Sequence, residues 1–323
     1  MTELNSHRVR GTNIRPDNEL ISGECKVGKK IAALTLCAAL VLSMCACSGD
    51  GEPAQTVDPY AGMIQVDSGY GTTMWVKEYE NVPVCGWDRS LFREGSTFIR
   101  YTGSDYAVFQ GIDVSEHQQE IDWQSVALAG VDFAMVRAGY RGYSEGKLYE
   151  DAYFRKNIEG AQAQGINVGI YFFSQATTVE EAVEEADYLI GLLDGYTPDM
   201  PVFFDWESID GDEARTDSVT GDTLTQCAVA FCERMKEAGF EPGVYAYRYL
   251  AYFYYDLELI EPYRLWIGAV GTEPDFYYEH DIWQFTDSGT VEGIEGPVDL
   301  NLMLVPIGGA ASAPQTQAVP GKN

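Results

Sequence analysis

From residue 108 the chain alternates short apolar runs with amphipathic stretches, and near residue 260 the alternation stops. Val108–Val114, Phe133–Ala138, Ile166–Phe173, Pro201–Glu207 and Gly243–Tyr247 read as buried strands. Helical patterns separate them: Asp122–Ala129, Asp151–Gln164 closed by Gly165, a run from Thr177 or Thr178, and 222–238 ending at Gly239. Each of those threonines has Glu three residues on, a capping box. Behind them Val179, Ala182, Val183, Ala186, Leu189, Ile190 and Leu193 keep helical spacing. A Tyr-rich helical stretch, 248–257, follows the fifth strand. Then Leu265–Ala269, Ile282–Phe285 and Val298–Leu302 come with connections of about a dozen residues, too few for ordinary crossover helices. Five strand–helix units and three bare strands make eight strands. The expected class is α/β, an incomplete TIM-like barrel, (β/α)5(β)3, with a short N-terminal β extension.

The segments before the barrel differ in kind. Residues 1–25 are polar and aperiodic. Lys26-Val27-Gly28-Lys29-Lys30 then precedes an apolar run, Ile31 to Ala46, a pattern expected of a secretory leader. Its end, Leu42-Ser43-Met44-Cys45-Ala46-Cys47, resembles a bacterial lipoprotein signal with Cys47 as the lipidated residue. Cys45 is the competitor, and an uncleaved signal anchor the alternative. Each reading places the body outside the cytoplasm, attached to the membrane or secreted. Residues 1–47 are thus read as extension and signal, 48–60 as a flexible tether, 61–107 as a small β extension, 108–305 as the barrel and 306–323 as a disordered tail. Within 61–107, Met63–Val66, Thr73–Val76 and Thr97–Tyr101 look like strands too few to bury a core alone.

Charge narrows the partners. The net charge is −29, and residues 1–46 hold six Lys and Arg against four Asp and Glu, so the acid lies in the body. Such a body does not bind nucleic acid by releasing counterions. The three histidines, His7, His117 and His280, are far apart, and no His/Cys cluster has metal-ligand spacing. No metal, no cofactor and no disulfide framework are expected, Cys227 and Cys232 being read as buried thiols. The chain is expected to work as a monomer.

Within Pro201–Glu207, Asp205 and Glu207 share one face, because strand residues two apart point the same way. Two neighbouring carboxyls resist ionising together, so one is expected to keep its proton near neutrality. An acid beside a carboxylate is suited to breaking a glycosidic bond. The competing reading is a solvated strand end. Asp113 and Asp299 stand near the same end of their strands. Tyr171, Tyr245 and Trp283 are candidates for stacking on sugar rings, with Gln284 as a hydrogen-bonding neighbour. Ordinary barrel packing competes for each. Arg137 is a candidate for a substrate carboxylate or a structural partner of Asp113.

Gly111-Ile-Asp-Val-Ser-Glu-His-Gln118, Phe133-Ala-Met-Val-Arg-Ala-Gly-Tyr140, Gly169-Ile-Tyr-Phe-Phe-Ser-Gln-Ala176, Pro201–Glu207, Trp283-Gln284-Phe285 and Val298-Asp-Leu-Asn301 together resemble glycoside hydrolase family 25, the bacterial and phage muramidases. The resemblance runs over 108–305. It implies hydrolysis of the β-1,4 bond from N-acetylmuramic acid to N-acetylglucosamine in peptidoglycan strands. By it Glu207 is the general acid/base, Asp205 the carboxylate that steadies the reaction centre, and Asp113 and Asp299 two further acids. Two routes remain open, attack by the substrate's own 2-acetamido group or by Asp205, both with retention; placement on one strand face favours the first. The alternatives are a surface lipoprotein that binds wall glycan without cutting it, and a chitinase-like hydrolase.

Overall fold

The structure, a computed structural model, describes residues 58–209 and 213–308, all within the unit Asp58–Asn323. The leader, Cys47, most of the tether and tail residues 309–323 lie outside the described residues. Two small antiparallel pairs come first: β1 (Met63–Asp67) with β2 (Thr73–Lys77), and β3 (Phe92–Arg93) with β4 (Arg100–Tyr101). The barrel follows, from β5 (Tyr106–Val114) and β6 (Phe133–Arg141), with β7 (Leu148–Glu150) added antiparallel to the far end of β6. Its other strands are β8 (Asn167–Ser174), β9 (Val202–Trp206), β10 (Pro242–Tyr247), β11 (Arg264–Gly268), β12 (Ile282–Gly289) and β13 (Val298–Pro306). The order is β5-β13-β12-β11-β10-β9-β8-β6, closed by β5 on β6.

Two-residue periodicity sorts the side chains. Phe133, Met135 and Phe203 fill the interior with Tyr245, Trp266 and Ile282. Ala134, Val136, Val202 and Phe204 face outward into the larger core. The interior is filled rather than hollow. A Cβ on Gly111 would stand 2.2 Å from the Phe133 ring, so this glycine makes the room that the ring occupies.

The expectation of an incomplete TIM-like barrel is corrected here. A barrel of that type is all parallel, with a helix after each strand. In this chain β13 runs antiparallel to both β12 and β5. Helix is sparse beside strand: α1 (Trp123–Leu128), α2 (Phe154–Ala163), α3 (Val179–Leu192), α4 (Gly221–Glu237), α5 (Arg248–Phe253) and α6 (Leu257–Ile260), with α1, α5 and α6 only short turns. The result is a closed eight-stranded β-barrel. The cause is connection length. Residues 290–297 are too few for a parallel crossover, so the last strand returns as its neighbour's antiparallel partner.

That reversal positions the site. The parallel strands bring their C-terminal ends to one rim, and β13 brings its first residues there. Asp113 and Asp299 are register partners across β5 and β13, and Gln284 and Asn301 across β12 and β13. The N-terminal pairs pack outside the barrel, where the Phe92 ring meets Trp283 at 5.8 Å.

Candidate active site

Asp113, Arg137, Tyr171, Asp205, Glu207, Tyr245, Gln284 and Asp299 line one cleft of about 250 Å³, with Tyr247, Trp266 and others. A larger cavity, about 830 Å³, lies at the opposite end of the barrel, and none of the carboxyls of this cluster reaches it. Asp205 lies buried one residue before the end of β9, and Glu207, the first residue beyond the strand, is half-buried. The side chain of Gln175 holds the Glu207 carbonyl at 2.8 Å, and the Trp206 indole N–H donates to Ala176 O at 3.1 Å. The exit of β9 is thus pinned to the exit of β8.

On the other wall the polar groups interlock. Asn301 Nδ2 donates to Asp113 Oδ2 at 2.7 Å, and Gln284 Nε2 donates to the same oxygen at 3.0 Å and to Asp299 Oδ2 at 3.1 Å. Tyr245 OH donates to Gln284 Oε1 at 2.8 Å, and Trp266 Nε1 to Asn301 Oδ1 at 2.8 Å. Gly268 lets this network close: a Cβ there would stand 2.7 Å from the Tyr245 hydroxyl and 3.1 Å from Gln284 Oε1. Asp205 Oδ1 is buried and finds no hydrogen-bond partner among the described residues.

All four carboxyls are pushed toward the neutral form. Burial holds Asp205 well above the ordinary range, and the Glu207 charge beside it adds to the shift. Burial lifts Glu207 to about 7; its hydrogen bond with Asp205 opposes the shift and the Asp299 charge adds to it. Burial raises Asp299 to about 8, helped by the charge of Asp113. Asp113 rises less, to about 6, since the amides of Asn301 and Gln284 offset part of its burial. Near neutrality the cluster therefore holds protons that isolated carboxyls would have lost.

Two sequence expectations are corrected. Trp283 does not line the cleft. It is fully buried on the outer face of β12, with its indole N–H given to Ala269 O at 2.7 Å. Ile282 and Gln284 are the residues whose phase points inward. Arg137 lines the cleft, but its partners are not Asp113: its Nε meets Asp151 Oδ2 at 2.8 Å and its NH2 meets Glu116 Oε1 at 3.3 Å. Asn301, Trp266, Tyr247 and Gln175 were missed. Same-face spacing to Asp299 carried a signal for Asn301, and Trp266 is the register partner of Tyr245. Among the described residues, no group of three or more His, Cys, Asp and Glu is arranged to hold a metal.

The Clostridium acetobutylicum autolytic lysozyme is 26% identical over 195 residues, 59% of this chain and 55% of its own length. Lysozyme M1 of Streptomyces globisporus is 27% identical over 209 residues, 61% of this chain and 68% of its own. The solved structure of the modular autolysin LytC from Streptococcus pneumoniae superposes with a TM-score of 0.55 at 26% identity, over 75% of this chain and 56% of LytC. The chain thus spans about half the length of the clostridial lysozyme and of the pneumococcal autolysin. The family model described as Glycosyl hydrolases family 25 matches residues 112–294, more than half of the sequence, and the chain belongs to that family.

Proposed function

We propose that this protein is a peptidoglycan hydrolase, a muramidase that cleaves the β-1,4 bond between N-acetylmuramic acid and N-acetylglucosamine with retention of configuration. The observation that carries the reading is the meeting of Asp205 and Glu207 with Asp113 and Asp299 in one cleft, all four with raised pKa values. Family membership and the two relatives named as lysozymes support it.

In this reading Glu207 is the general acid. Burial keeps its proton available near neutral pH, and its place in the cleft lining, partly open to solvent, lets it reach a glycosidic oxygen. As the C1–O bond breaks, the substrate's 2-acetamido oxygen attacks C1 and Glu207 gives its proton to the leaving oxygen. Asp205 and Glu207 share a proton between them; with it on Glu207 for the transfer, Asp205 is the carboxylate that faces the positive charge developing on the ring and acetamido group. Glu207 then takes a proton from the water that opens the cyclic intermediate, which restores the configuration at C1. Asp113 and Asp299, fixed by Asn301 and Gln284, serve as acceptors for sugar hydroxyls and N–H groups. Export and membrane attachment through a lipidated Cys47 belong to the same proposal; the mass of the mature N-terminus tests them.

The test of the chemistry is digestion of purified peptidoglycan by the full chain, with reducing ends reduced by borohydride and identified by mass spectrometry. Muramitol ends, absent with Glu207→Gln, are expected. Glucosaminitol ends would overturn the bond assignment, and bound but uncut glycan would make the protein a binding module.

A further inference from the structure

We infer that the aromatic ledge following β10 binds the sugar rings of the same glycan strand beyond the cleft. The inference rests on the proposed glycan substrate and names where the rest of that polymer lies. Tyr247, Tyr249, Phe253 and Tyr254 stand within eight residues of one another and are between 36% and 46% exposed. Single exposed aromatics need no explanation, but a contiguous group marks a contact surface. Tyr249 meets Phe253 at 4.8 Å between ring centroids and Tyr254 at 6.3 Å.

The core side of α5 is taken by Leu250, Ala251 and Tyr252, whose hydroxyl accepts from Tyr277 N at 2.8 Å. Tyr249 and Phe253 lie on its outer side.

Position ties the ledge to the cleft. Tyr247 lines the cleft itself and meets the buried Tyr245 at 5.6 Å, while Tyr245 meets Trp266 at 4.6 Å. The helix that carries Tyr249 begins directly after the C-terminal end of β10, on the rim that bears the four carboxyls. A Cβ on Gly221, at the start of α4, would stand 2.4 Å from Tyr254 O. The ledge therefore adjoins both β10 and the start of α4.

Size supplies the occupant. The cleft, about 250 Å³, is smaller than the roughly 300–1,000 Å³ typical of pockets that enclose a drug-sized ligand. A polymer of N-acetylhexosamines cut inside such a cleft must leave it and cross the adjoining surface. Pyranose rings present an apolar C–H face that packs on aromatic rings. Tyr247 at the cleft, and Tyr249 and Phe253 on the helix that follows it, offer such rings.

The experiment compares Glu207→Gln with Glu207→Gln carrying Tyr249→Ala and Phe253→Ala, in the full chain. The probes are β-1,4-linked N-acetylglucosamine oligomers, a disaccharide and an octasaccharide, measured by calorimetry. The ledge substitutions are expected to weaken the octasaccharide about tenfold relative to the disaccharide. Equal effects on both, or none on either, would overturn the ledge. So would sedimentation showing that the substitutions dissolve a dimer while the octasaccharide preference stays. The parent enzyme is assayed on peptidoglycan in parallel. Octasaccharide binding that needs the ledge, without cleavage by the parent, would remove the hydrolase reading and keep the ledge. Neither binding nor cleavage would remove both.

Discussion

Gln175 donates its side-chain amide to the main-chain carbonyl of Glu207 at 2.8 Å, so the end of β8 sets the height of the proposed acid. Gln175 is itself held. Its Oε1 accepts from Thr216 Oγ1 at 3.1 Å, and its carbonyl accepts from Arg215, which pairs with Glu181. Replacing Gln175 with Ala leaves the Glu207 carbonyl without that donor. The expected cost is about 1–3 kcal/mol of stability. Turnover should fall at least about tenfold with little change in KM, because positioning acts on the transition state more than on binding. A Tm that drops with kcat unchanged would mean that Gln175 serves packing alone.

The raised carboxyls fix the sign of the pH dependence. As the proposed general acid, Glu207 works with its proton on, so kcat/KM should fall as pH rises through about 7. Stability follows the same direction. Glu207 and Asp299 bind protons more tightly in the folded state than unfolded, so between the ordinary carboxylate range and about 8 the folded state holds the extra protons. Its advantage is present below the unfolded pKa values and is lost as pH rises. The Tm should decline between about pH 5 and pH 8, and Asp299→Asn should flatten that decline. A Tm that rises over this range would refute the protonated cluster.

The carboxyl pair was legible in the sequence because it needs only a strand and a two-residue period. Asp205 and Glu207 line the cleft together for that reason. The same rule locates Trp283 on the outside once the phase of β12 is known, and one-residue phase is what an isolated apolar run leaves open. Barrel closure was harder to see. Eight strands could be counted, but the direction of the last one depends on whether residues 290–297 cross over or turn back. Arg137 was recognisable as a charge inside a strand; its partner Asp151 lies beyond β6 in the turn before α2, and no local spacing pairs the two. Asn301 and Gln284 meet only because β12 and β13 are antiparallel neighbours.

The two tryptophans should separate cleanly on substitution. Trp266→Phe keeps much of the interior ring but leaves Asn301 Oδ1 without its donor, freeing the amide that holds Asp113. Catalysis should fall by more than about tenfold with a modest loss of stability, about 1–3 kcal/mol. Trp283→Ala removes a fully buried side chain that does not line the cleft. It should cost about 3–5 kcal/mol of stability while the folded fraction keeps its kcat. The reverse pattern would restore Trp283 as a substrate contact.

Arg137 offers the sharpest contrast between a binding and a structural role. Its guanidinium meets the buried Asp151, whose carboxylate also accepts from Glu116 N and Tyr153 N, each at 2.9 Å. That carboxylate therefore anchors two chain segments, and Arg137 neutralises it. Arg137→Ala leaves a buried charge without its partner, a loss of about 3–5 kcal/mol. At this size each kcal/mol lowers Tm by roughly 2–4 °C. Arg137→Ala with Asp151→Asn should recover part of that loss, since the amide keeps its shape without the charge. A guanidinium serving chiefly to bind the lactate carboxylate of muramic acid would behave otherwise. Its loss would raise KM on peptidoglycan strands, spare oligomers of N-acetylglucosamine alone and leave Tm in place. The expected result is the large Tm shift with partial recovery in the double variant, because Asp151 and Glu116 already occupy the guanidinium.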